Sequence, residues 1–267
     1  MVKKQLVFYF HVPDDYETNV AIRMHYACLY RYRDIFDAAE FFISYTEESK
    51  KYEMAVKYSL LNIFHDKDVR FKDVENGDFR EATTFKENIV DKLDKFDNTI
   101  VFFGHTKGTT NVVTFSESSE RFLKWIYALY FYSLEFMYEV EKKLIAAYHG
   151  RMRSLFGSLM TRLPGGRVMY AGTFYWINPM AVANDLKFDS VTPVKFADRL
   201  YAEMFPTMYG DGVINDTYIS KVDGHSCIES NLGDFDPYHD DFDEIIKYYG
   251  DYDLFMKNYN ELIKEIQ

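Results

Sequence analysis

The chain has 267 residues, 48% of them hydrophobic, and a formal net charge of -11. That length supports one sizeable core, and with no Pro/Gly/Ser-rich linker to divide it the expectation is a single domain over 1–267. The acidic balance excludes nucleic acid as a natural partner, because phosphate backbones require a basic surface. Cys28 and Cys227 are the two cysteines; neither lies in a CxxC, which fits a reducing, cytoplasmic compartment. The apolar run at the start is too short for a secretory signal. No stretch approaches the roughly 20 apolar residues of a spanning helix.

Taken in chain order, Gln5 to Val12 is rich in β-formers and reads as a buried strand that Pro13-Asp14-Asp15 ends. Asn19 to Arg33 has helical spacing, with Val20, Met24, Ala27, Cys28 and Leu29 on one side. Ala39 to Tyr45 is a second strand. Thr46 followed by Glu47 and Glu48 signals a helix start, and that helix runs to about Phe64. A third strand covers Val69 to Val74, a helix Thr83 to Leu93, and a fourth strand Asn98 to Phe103. The fourth is continuously apolar and therefore central. This alternation predicts a mostly parallel sheet with helices on both faces, and such sheets bind ligands beyond the C-terminal ends of their strands. His11, Tyr45, Asn76 and His105 stand at those ends.

The second half is patterned differently. Ser119 to about Arg153 is helical in one or two pieces, with Trp125 to Phe136 as a buried segment. After the turn at Leu163-Pro164-Gly165-Gly166, Arg167 to Ile177 reads as one strand, broken by Asn178-Pro179. Further helices are expected over Pro179 to Leu186 and Val194 to Phe205. The tail from Asp234 is acidic and aromatic, and Tyr252 to Ile266 is an amphipathic terminal helix.

Three segments carry candidate chemistry. Asn76-Gly77-Asp78-Phe79-Arg80 forms a turn into a helix whose first N–H groups suit an anion. Phe103-Gly104-His105-Thr106-Lys107-Gly108 places an imidazole, a hydroxyl and an ammonium after the central strand, and lysine binds phosphate as a point charge. Met169 to Asn178 has Gly172 inside a strand and three consecutive aromatics, of which Tyr175 is the candidate for a sugar platform and Phe174 and Trp176 for core. A looser group, Asp223 and His225 with Asp234, Asp236, His239, Asp240 and Asp241, has carboxylate and imidazole ligands in no defined metal spacing. There is no GxSxG, GxGxxG or GxxxxGK[ST].

In order and rough spacing over about residues 5 to 205, these motifs resemble those of bacterial capsular-polysaccharide and rhamnan-synthesis glycosyltransferase-like proteins. That family carries an Asn-x-Gly-Arg-Asp-like turn, a His-Thr-Lys segment and a Gly-Asn-Phe-Trp-Trp-like strand. Here Thr173 stands where Asn is usual and Tyr175 where Trp is usual. The resemblance implies a GT-A-like, Rossmann-related fold with a nucleotide-binding half over 1–110 and an acceptor half over 111–267. It implies transfer of a sugar from a nucleotide-sugar donor to a surface polysaccharide or glycan acceptor.

His11, Asn76, Asp78 and Arg80 would bind the nucleotide; Gly172, Thr173 and Tyr175 would face sugar or acceptor. His105 and Lys107 would stabilise the departing diphosphate. Glu203 would be the base, with Asp198 and Asp211 as fallbacks. The Asp-x-Asp of metal-dependent relatives is replaced by His105-Thr106-Lys107, so a divalent metal (manganese or magnesium) stays open, with Asp223 and His225 as its ligands. Two other readings stand beside this one. One is a non-catalytic nucleotide- or carbohydrate-binding protein that keeps the fold. The other is a metal-dependent phosphotransferase using the acidic group.

Overall fold

The computed structural model describes residues 2–77, 80–109, 114–135, 137, 141, 155–157, 160–162, 168–170, 173–180, 182–183, 202, 205 and 242–267. Four strand–helix units come first: β1 (Lys3–Val12), α1 (Val20–Tyr32), β2 (Ala38–Tyr45), α2 (Glu53–Ile63), β3 (Asp68–Val74), α3 (Arg80–Asn88), β4 (Thr99–His105) and α4 (Glu117–Leu134). Four short strands follow: β5 (Leu155–Gly157), β6 (Met160–Arg162), β7 (Val168–Tyr170) and β8 (Tyr175–Ile177). Two helices, α5 (Phe242–Tyr249) and α6 (Tyr252–Ile266), complete the described chain.

The main sheet has the order β3-β2-β1-β4-β8-β5. Its first four strands are parallel, β8 runs antiparallel to β4, and β5 antiparallel to β8. Alternation along the central strands assigns the two faces. Leu6, Phe8, Phe10 and Val12 of β1 enter one core with α1, α2, α4 and α6. Val7 and Tyr9 enter a second with Phe42, Phe103, Tyr175 and α3 residues Ala82 and Phe85. Helices on both faces leave no water-facing side on the central strands, which explains the continuous apolar runs Leu6–Phe10 of β1 and Ile100–Phe103 of β4.

Local chemistry sets the helix starts. Asn19 caps α1, its side-chain oxygen accepting from the Ile22 N–H at 3.1 Å. Thr46 and Ser49 exchange backbone-to-hydroxyl bonds at 2.9 and 3.0 Å, but the helix expected from Thr46 begins later: a 3₁₀ turn covers Ser49–Tyr52 and the α-helical part starts at Glu53. Ser116 and Ser119 form the same reciprocal pair at the head of α4. In α6 the buried Phe255, Tyr259, Leu262 and Ile266 form one helical stripe.

Two expected elements differ. The Thr83–Leu93 helix is α3 followed by a 3₁₀ segment over Val90–Lys95. The single strand over Arg167–Ile177 is two: β7 pairs with β6 in a separate two-stranded sheet, and β8 joins the main sheet. The break contains Thr173 at φ 57°, a left-handed conformation that no strand residue holds.

Candidate functional site

The chain leaves β1 for β2 on one side and reaches β4 on the other. The β1/β4 junction is therefore a topological switch point, where open α/β sheets place their ligands. In register His11 lies beside Ser44, Ser44 beside Val74, and Tyr9 beside His105. One polar chain crosses these strand ends. The Tyr9 hydroxyl lies 2.7 Å from Ser44 Oγ, and His11 Nδ1 lies 3.1 Å from the same oxygen. His11 and Ser44 are both buried. This mutual satisfaction is what burial of polar groups demands.

Thr106 extends the β1–β4 pairing with its side chain. Its hydroxyl accepts from the His11 N–H at 2.8 Å and lies 3.3 Å from the His11 carbonyl, while its own N–H donates to the Tyr9 carbonyl at 3.1 Å. The strands thus stay joined up to the loop. That loop is fixed from α1: Asn19 Nδ2 donates to the Thr109 carbonyl at 2.8 Å, and His25 Nε2 lies 2.9 Å from the Lys107 carbonyl. Gly108 adopts φ +80°, and a Cβ there would sit 3.2 Å from Ile126 Cδ1. Gly104 is needed for a different reason, since a Cβ there would lie 2.9 Å from Phe8 Cε2.

His105 Nδ1 is 3.9 Å from Glu81 Oε2 on α3, and its ring is 6.1 Å from Phe174. Lys107 is half-buried, with Nζ 4.9 Å above the Trp125 ring of α4. Next to the edge strand, Lys50 and Lys57 are both engaged, binding Asp73 at 3.0 and 2.9 Å. Burial works against the Asp73 carboxylate, but the hydrogen bonds from Lys57 and Lys50 outweigh it and hold its pKa below the usual value.

The expected site residues divide into three groups. His11, His105 and Lys107 gather at the switch point. Asn76 follows the edge strand β3 and is exposed, and Arg80 opens α3. Thr173 lies just past the β4–β8 pairing, fully buried, its Oγ1 without a hydrogen-bond partner among the described residues. Tyr175 is a correction. It is wholly buried and donates to the Ala202 carbonyl at 2.8 Å, because its inward position in β8 puts it in the α3-side core rather than on a sugar platform. Phe174 and Trp176 are core, as expected. Asp78, Gly172, Glu203, Asp223 and His225 lie outside the described residues, as do Asp198, Asp211 and the Asp234–Asp241 acids. Buried Ala202 and Phe205 flank the Glu203 position.

Sequence reasoning missed Tyr9, Asn19, His25, Ser44, Glu81 and the bridging role of Thr106. His25 had a signal: it interrupts the stripe of Ala21, Cys28 and Tyr32 that α1 buries. A single imidazole on an apolar face needs partners. Burial lowers the His25 pKa to about 3, with the hydrogen bond to the Lys107 carbonyl opposing and His105 adding to the fall. The ring is neutral at any ordinary pH.

Among the described residues no group of three or more His, Cys, Asp and Glu is placed to hold a metal ion. No described helix is long and apolar enough to cross a membrane. The sequence matches no family model and no curated protein. Fold and site therefore define an α/β protein with a mostly parallel sheet and a polar cluster at its β1/β4 switch point.

Proposed function

We propose that this protein is a glycosyltransferase of GT-A type that uses a nucleotide-sugar donor and a glycan acceptor. The reading is carried by one observation: His11 and His105 at the ends of β1 and β4 meet Thr106 and Lys107 at the switch point, where the following loop is fixed by buried hydrogen bonds. A departing nucleoside diphosphate needs fixed cations and N–H donors when no metal does that work. Lys107 supplies the cation. The acceptor hydroxyl needs a base, and the family resemblance assigns that to Glu203.

A thermal-shift screen of nucleotides and nucleotide sugars tests donor binding, since a ligand at about 100 times its dissociation constant adds about 2.7 kcal/mol. Turnover is then measured for Lys107→Ala. The expected loss is on the order of 10²-fold, with stability within about 0.5 kcal/mol of the parent. Unchanged turnover would remove Lys107 from the chemistry, and activity abolished by a chelator would transfer its task to a metal. A second reading is a nucleotide- or carbohydrate-binding protein without catalysis, supported by His105-Thr106-Lys107 standing where metal-dependent relatives carry Asp-x-Asp and by Thr173 and Tyr175 departing from the usual Asn and Trp. Donor binding without transfer or donor hydrolysis would select it.

A further inference from the structure

The Lys107 carbonyl can only accept a hydrogen bond, so His25 Nε2 carries the ring proton and Nδ1 is bare. Nδ1 then accepts from the Tyr130 hydroxyl, 2.9 Å away. Both ring nitrogens are satisfied in one tautomer, inside a site with no solvent exposure. This buried imidazole holds the Lys107 C=O toward α1. The Lys107–Gly108 peptide is trans and planar, so the Gly108 N–H points the opposite way, away from α1.

That N–H donates no hydrogen bond among the described residues, and Gly108 is only half-buried. The next carbonyl but one, that of Thr109, is turned inward as well by Asn19. The inner side of the loop is thus committed to acceptors, and a donor is left on its outer side, while the Cβ that Gly108 lacks would have pointed at Ile126 of α4.

We propose that the Gly108 amide is an anion-binding donor for a phosphoryl oxygen of the nucleoside diphosphate, with His25 as the residue that positions it. This rests on the reading that the C-terminal edge of the sheet binds a nucleotide. His25 touches no ligand and acts through the orientation of one peptide plane.

The sequence contains a single Lys-Gly pair, Lys107-Gly108. Labelling the full chain with carbonyl-13C lysine and 15N glycine therefore gives one filtered amide signal, that of Gly108. The probe is inorganic pyrophosphate, with sodium chloride as the ionic-strength control. The expected result is a saturable downfield shift of the Gly108 proton with pyrophosphate and none with chloride. In His25→Leu the midpoint of that shift moves to about 10-fold higher pyrophosphate, the scale of one hydrogen bond. In His25→Gln, whose amide can still donate to the Lys107 carbonyl, it stays within about 3-fold of the parent.

A Gly108 signal that stays fixed while other amides titrate overturns the proposal and leaves nucleotide binding intact elsewhere. If no amide responds to pyrophosphate or to nucleoside diphosphates, the functional reading falls too. An undiminished response in His25→Leu removes His25 from the role. Should that variant fail to fold, the parent and His25→Gln titrations still decide whether Gly108 is the donor.

Discussion

Replacing His25 by glutamine should change how the stability of this protein depends on pH. In the unfolded chain the imidazole has a pKa near 6.5; in the fold, burial lowers it to about 3. Between those values the unfolded state binds the extra proton and the native state does not. Stability from this group is therefore fully present above the unfolded pKa and is lost as pH falls, by about 1.4 kcal/mol per unit. From about pH 7.5 to about pH 4.5 the loss comes to roughly 2.5 kcal/mol.

Urea unfolding at a series of pH values measures it in both chains. The carboxylates of Glu53 and Asp73, held below their usual pKa values, also cost stability in acid, but they are common to both proteins and cancel in the difference. His25→Gln should be the less stable chain at neutral pH, because it loses ring packing and the Tyr130 bond. The two curves should converge as the pH falls and then cross. Parallel curves would mean that His25 takes up its proton at the same pH in the native and unfolded states, and the claim that burial keeps the ring neutral in acid would fail.

Gly104→Ala should destabilise by about 1 to 3 kcal/mol in the same assay, since its Cβ must displace Phe8, and a neutral result would show that the ring gives way freely. Thr173→Asn should raise stability by about 1 kcal/mol, because asparagine tolerates the left-handed conformation that a β-branched residue resists; a lower melting temperature would show that the Thr173 packing outweighs its strain. Glu203→Gln should lower turnover by roughly 10² to 10⁴-fold with donor affinity nearly intact, and transfer at the parent rate would shift suspicion to Asp198 or Asp211.

The parallel half was legible because its signals are local. Buried strands such as Gln5–Val12 are continuous apolar runs, and helices such as Asn19–Arg33 carry a 3.6-residue stripe. The terminal helix Tyr252–Ile266 was readable to the residue for the same reason. The Arg167–Ile177 region was not, since β-propensity is the same on both sides of Thr173 and the sequence carries no sign of the left-handed backbone angle there. The helix Phe242–Tyr249 was hidden by its acidic surroundings.

At the candidate site, position was readable and partnership was not. His11 and His105 stand at strand ends in the sequence. That Ser44 satisfies one of them and Glu81 approaches the other follows from register and from packing across the sheet. Tyr175 was misplaced because an aromatic in a strand looks the same whether its face meets solvent or a helix.

The strand order has a consequence for the chain as it is being made. Synthesis delivers β1 to β4 first, and they can pair with one another as soon as Thr99–His105 has emerged. The partner that covers the other side of β4 is β8, and it is not made until Tyr175–Ile177. Until then Ile100, Val101, Phe102 and Phe103 form an uncovered edge, β-prone and without charge, of the kind that recruits strands from other chains. Expression yield should therefore depend on how long that edge waits. Truncations that stop between β4 and β8 should aggregate, whereas chains that extend through β8 have the means to close it.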